Sequence, residues 1–114
     1  MNVNIEKLPE YTLIKVLDSK LDTTIAPELK SELVVIAGNG EKNLVLDLSN
    51  CQYCDSSGLS AILVANRLSK NAEGIFVLTG LTEMVEQLVK LSQLDTVLNI
   101  ATTPEDVQSF FQNS

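Results

Sequence analysis

Histidine is absent from this 114-residue chain, and aromatic residues make up only 4% of it. Without an imidazole, neither a Ser/His nor a Cys/His catalytic pair can be assembled. Thiols are scarce as well. Cys51 and Cys54 are the only two, so a zinc site would need carboxylates or a second chain to complete its four ligands. Basic residues number 8 against 15 acidic ones, and the resulting formal charge of −7 repels phosphate backbones and anionic lipid. That balance disfavours nucleic acid and membrane surfaces as partners and favours a protein with a basic patch. No uninterrupted apolar run exceeds about six residues, far short of the ~20 that a membrane-spanning helix needs. Met1 to Glu10 shows no basic stretch leading into an apolar core, so no secretory signal is read there and a cytoplasmic location is expected.

What the chain does contain is the balance of a folded domain, with 45% hydrophobic and 20% charged residues. Its length suits one hydrophobic core, hence one domain over residues 1–114. With so few aromatics, that core must be built from Leu, Val, Ile and Ala.

Periodicity then orders the elements. Asn2 to Glu6 and Tyr11 to Leu17 are β-rich runs separated by Lys7-Leu8-Pro9-Glu10, which predicts an antiparallel hairpin. Ile14 and Val16 share one face of the second strand, while Leu13, Lys15 and Leu17 share the other. From Asp22 the period changes. Leu29, Leu33 and Ile36 fall on one stripe of a helix expected from about Thr24 to Ala37 and ended by Gly38 to Gly40. Asn43 to Leu48 reads as a central strand, Asp55-Ser56-Ser57-Gly58 as the start of a helix carrying Leu59, Ile62, Leu63 and Asn66 along one side, and Ile75 to Thr79 as the next strand. Leu81, Met84, Val85, Leu88 and Leu91 form the apolar stripe of an amphipathic helix. Thr96 to Ile100 is a short strand, and the last helix opens with Thr103 as N-cap and Pro104 at its first position, sending Val107, Phe110 and Phe111 inward. Strands alternating with helices need crossover connections, so the fold class is α/β. A mixed central sheet of roughly four to five strands is expected, with an antiparallel N-terminal hairpin, parallel later strands and about four helices.

In open α/β sheets, functional sites gather beyond the carboxyl ends of the strands. Ser49 to Gly58 lies there and is the densest polar and reactive cluster in the chain. Asp55 or Ser56 can cap the helix by accepting an amide hydrogen bond. A serine hydroxyl at that place is also exposed and surrounded by N–H donors, a suitable setting for a phosphate. Cys51 and Cys54 have the spacing of a redox dithiol, but the helix begins later than such a site requires, and buried, inert thiols are the expected outcome.

The stretch Leu44 to Leu59, Leu-Val-Leu-Asp-Leu-Ser-Asn-Cys-Gln-Tyr-Cys-Asp-Ser-Ser-Gly-Leu, resembles the signature of STAS domains. Leu21 to Leu29 is similar to the segment that precedes the first helix in that family, although Asp18 to Asp22 keeps only the Leu-Asp part of the frequent Gly-Glu-Leu-Asp, and Cys54 stands where an apolar or aromatic residue is common. The resemblance to bacterial anti-sigma-factor antagonists implies a partner that is both anti-sigma factor and serine kinase, a phosphatase that reverses its action, and Ser56 as the phosphorylated residue. It implies a partner-binding surface formed by Asp22, Asp55, Ser56, Ser57 and Gly58. Gly58 would either let a partner's backbone approach or pack tightly in the first turn; Asp22 and Asp55 have helix capping as their alternative role. The kinase supplies the chemistry, so this chain is expected to be a substrate and not an enzyme, and no cofactor or metal is assigned. The alternative is a STAS interaction subunit of a transport or sensory assembly that works without phosphorylation.

Overall fold

The computed structural model describes residues 3–112. Two strands open the chain, β1 (Val3–Lys7) and β2 (Thr12–Val16). They pair antiparallel with Lys7 opposite Thr12, and Leu8 N–H closes the connection on the Tyr11 carbonyl at 2.9 Å. Asn2, the expected first strand residue, lies outside the described residues. The chain continues through β3 (Lys20–Leu21), α1 (Ala26–Gly38), β4 (Leu44–Asp47), β5 (Tyr53–Cys54), α2 (Ser56–Asn71), β6 (Phe76–Thr79), α3 (Glu83–Leu91), a 3-10 turn at Leu94–Thr96, β7 (Asn99–Ala101) and α4 (Pro104–Ser109).

The main sheet has five strands in the order β1-β2-β4-β6-β7. Only β1 is antiparallel to its neighbour; β2, β4, β6 and β7 run parallel. Alternation along each strand divides the apolar residues between the two faces. Ile14, Val16, Leu44, Leu46, Phe76 and Leu78 pack with residues of α1, α2 and α3 in the larger cluster, while Val45, Val77 and Ala101 pack with Val107 and Phe111 of the C-terminal segment in the smaller. Burying a Leu, Ile or Phe side chain stabilises by about 1.5–3 kcal/mol, so the helix-covered face dominates the stability. On the other face, Tyr11 stacks on Phe111 at 4.9 Å between ring centroids.

Three details depart from the periodic reading. α1 begins at Ala26 because Asp22 draws the chain into a turn first: its carbonyl accepts from Ile25 and Ala26 N–H at 3.1 and 2.8 Å. On α2 the buried residues are Gly58, Ala61, Ile62, Ala65 and Ser69, and Leu59 and Leu63 are only partly covered. On α3 they are Val85 and Val89, leaving Met84 and Leu91 exposed. α1 buries the expected Leu29, Leu33 and Ile36; α2 and α3 have the expected period, but their phase is turned by roughly one residue, ~100°. Small residues explain the case of α2, because Gly58, Ala61 and Ala65 permit a closer approach to the layer beneath than Leu59 and Leu63 would.

Candidate functional site

The loop between β4 and α2 is pinned from three sides, and this gives the start of α2 a defined position. Ser49 N–H donates to Asp47 Oδ1 at 2.8 Å, and Cys51 N–H turns back to the Leu48 carbonyl at 2.9 Å. Gln52 and Tyr53 N–H both donate to the Ser19 carbonyl, at 2.7 and 3.3 Å. The chain then forms a two-residue parallel ladder, Lys20 opposite Tyr53 and Leu21 opposite Cys54, and Asp55 N–H extends it to the Leu21 carbonyl at 3.3 Å. From α3, the Thr82 hydroxyl donates to the Cys51 carbonyl at 2.7 Å. That hydroxyl makes no cap bond to its own helix.

This ladder brings together residues 33 apart in sequence, by the pairing of Leu21 with Cys54. Asp22 and Asp55 follow the two partners directly, so they stand side by side at the end of the ladder. Asp55 is the N-cap of α2: its Oδ1 accepts from Ser57 N–H at 2.9 Å and Gly58 N–H at 3.1 Å. Asp22 instead closes the turn ahead of α1, whose N-cap position is Ile25 without a side-chain cap bond: Asp22 Oδ1 accepts the Thr24 hydroxyl at 2.6 Å and the Thr24 N–H at 3.0 Å. The Thr24 hydroxyl and amide hold the Asp22 carboxyl below its ordinary value of 3.8.

The two serines are in different surroundings. Ser56, the first helical residue, is exposed, whereas Ser57 is half-buried and its amide is engaged by Asp55. Gly58 is buried. The space a Cβ would occupy is taken by the Leu21 carbonyl and the Cys54 sulfur, so its small size serves the internal contact between α2 and the two-residue ladder.

Both thiols lie beneath this surface and are free. Cys51 Sγ donates to the Asp18 carbonyl at 3.3 Å. Burial, reinforced by Asp18, pushes the Cys51 thiol up to about 11; burial, reinforced by Asp55, pushes Cys54 up to about 12. Both stay protonated near neutrality, the reverse of what a nucleophilic or redox thiol requires. Among the described residues no group of three or more Cys, Asp or Glu side chains is placed to hold a metal ion, and no helix is long and apolar enough to cross a membrane.

Sequence patterning did not reveal the ladder or the Thr82 clamp. Runs of two residues are too short to show a period, and nothing in the pattern around Leu81 and Met84 singles out Thr82.

The family model of the STAS domain matches residues 2–107. The anti-sigma-B factor antagonist of Staphylococcus epidermidis is 28% identical over 102 residues, which cover 88% of this chain and 94% of that protein. Among solved structures, an anti-sigma factor antagonist from Mycobacterium paratuberculosis superposes with a TM-score of 0.86 at 19% identity, covering 98% of this chain and 94% of that one. The Bacillus cell fate determinant SpoIIAA in its phosphorylated form superposes with a TM-score of 0.72 at 17% identity, covering 96% and 99%. These two structures share the fold described above.

Proposed function

Because this chain belongs to the STAS domain family, we propose that it is an anti-sigma factor antagonist that binds an anti-sigma factor with serine-kinase activity and is switched off by phosphorylation of Ser56. The observation that carries this reading is the contrast at the start of α2. Asp55 engages the amides of Ser57 and Gly58 through its carboxylate, while Ser56 is left exposed on a capped first turn. In this reading the domain is a binding regulator and the substrate of its partner's chemistry; a phosphatase returns it to the binding state, and the exchange takes place in the cytoplasm. Asp22, Asp55, Ser57 and Gly58 frame the serine, the first two from the paired ends of the ladder and the glycine by keeping α2 tight against it.

Electrostatics supplies the switch. A phosphate at Ser56 adds about −1.5 to −2 charges, next to Asp55 and close to Asp22. Repulsion and desolvation against a docked partner then need to total only ~4 kcal/mol to weaken binding roughly a thousandfold. No change of fold is needed. Incubation with the cognate kinase and ATP should add one phosphate, located at Ser56 by mass spectrometry, and Ser56→Ala should abolish it while still binding. Ser56→Asp should lose the partner. Phosphorylation of the Ser56→Ala variant at the wild-type level would refute the site, and retention of the partner by Ser56→Asp would favour a constitutive STAS subunit.

A further inference from the structure

The apolar stripe of α3 is only half used by the core. Val85 and Val89 are fully buried and Leu88 packs against the larger cluster, but Met84 is 58% exposed and Leu91 83% exposed. Seven residues bring a helix back to nearly the same face, so Met84 and Leu91 stand in line along one edge. That edge borders the loop ahead of α2. A groove of about 390 Å³ lies between them, lined by Gln52, Glu83, Met84 and Gln87. Gln52 lies four residues before Ser56, on the segment that leads through β5 into α2, and Thr82, the residue just before α3, is bonded to that segment at the Cys51 carbonyl. The groove therefore flanks the segment that leads into the serine turn, and the Thr82 bond ties α3 to that segment.

We infer that the Met84–Leu91 edge and its groove form the second half of the face that receives the kinase, and that they take an apolar segment of that partner flanked by basic side chains. This rests on the function proposed above. Charge complementarity selects this occupant. The groove wall carries one charged side chain, Glu83, among two amides and a thioether. Beyond it Glu86 is 3.4 Å from Lys90, and the whole chain has a charge of −7. With Glu86 paired to Lys90, Glu83 is the unneutralised charge of the groove wall, so an apolar segment with Lys or Arg at its border matches both the uncovered edge and that carboxylate. The unbranched methionine suits an apolar partner because it adapts its shape to the contact. The serine turn carries the switch, and the α3 edge selects which kinase may operate it.

The test uses the purified kinase that phosphorylates Ser56, titrated calorimetrically against the unmodified full chain. Met84→Glu and Leu91→Glu should each weaken binding at least tenfold and Met84→Gln by less, with unchanged thermal melting because both positions face solvent. Val34→Glu, at an equally exposed position on α1, should bind within twofold of wild type. Wild-type affinity for both α3 variants, or an equal loss with Val34→Glu, overturns the docking assignment; if Ser56→Asp still fails to bind, the proposed function stands without it. Wild-type affinity for Ser56→Asp overturns the proposed function instead, and absence of any kinase acting on Ser56 removes both.

Discussion

At the scale of single residues, the start of α2 is a position where very small changes have calculable effects. Gly58→Ala would drive a methyl into the Leu21 carbonyl and the Cys54 sulfur. Overpacking of this kind costs about 1–3 kcal/mol, and most of it should appear as a lower midpoint in urea denaturation. Asp55→Ala removes the acceptor for two amides and should cost ~1 kcal/mol, the usual value of an N-cap. Asp55→Asn keeps an oxygen in the same place and should recover most of that loss, so a large deficit in kinase binding by the Asn variant would assign the carboxylate charge a role in recognition. The thiols are predicted to be inert to a disulfide reagent at pH 8 in the folded protein and to react fully in urea. Fast reaction of either thiol without denaturant would contradict the burial that raises both.

Whole elements show how period and phase come from different sources. The 3.6-residue repeat of α2 and α3 is a property of the backbone, visible wherever apolar side chains recur. Which side of the stripe faces inward depends on the shape of the layer beneath. On α2 that choice selects Gly58, Ala61 and Ala65, and on α3 it selects Val85 and Val89 over the longer Met84 and Leu91. The end of α3 offers a second test. Gln93 has φ of +63° just beyond the C-cap, a conformation that glycine adopts without strain. Gln93→Gly should therefore raise stability by roughly 0.5–1 kcal/mol, read from thermal melting, despite removing a side chain. Covering the second sheet face falls largely to the short α4 and the residues just after it. Phe111→Ala, which deletes the stacking partner of Tyr11, should cost about 3 kcal/mol, read as a lower urea midpoint.

For the molecule as a whole, acid and base act through different groups. Hydrogen bonds from Thr24 lower Asp22, and Lys7 with Thr12 lowers Glu41. Their stabilising contribution is present above the unfolded carboxyl values and disappears as pH falls through the lowered folded ones, so stability should begin to drop below about pH 4. The thiols act at the other end. Their folded values lie above the ordinary 9.0, so the neutral thiols' contribution is complete below that pH and is lost as pH rises toward 11, the unfolded chain releasing its protons first. Urea midpoints across pH should trace a plateau with these two shoulders, and replacing both cysteines with alanine should flatten the alkaline one. The charge of −7 also predicts that association with a basic partner slows steeply as salt is raised from 50 to 300 mM, in stopped-flow measurements.

The amino-acid order alone determined the alternation of strands and helices, the antiparallel hairpin, the capped start of α2 and the place of Ser56 upon it, because each depends on neighbours within a turn or two: an Asp before a helix, a glycine after one, a period of 2 or 3.6. It also fixed the exclusion of imidazole chemistry, which needs only a count. Tertiary structure alone decided that Asp22 and Asp55 stand side by side, that Thr82 clamps the loop, that Gly58 is small for the sake of Leu21 and Cys54, and that Met84 and Leu91 remain in water. Those outcomes depend on contacts between segments about 30 residues apart, where packing shape and backbone pairing choose among arrangements that local propensity leaves equal in energy.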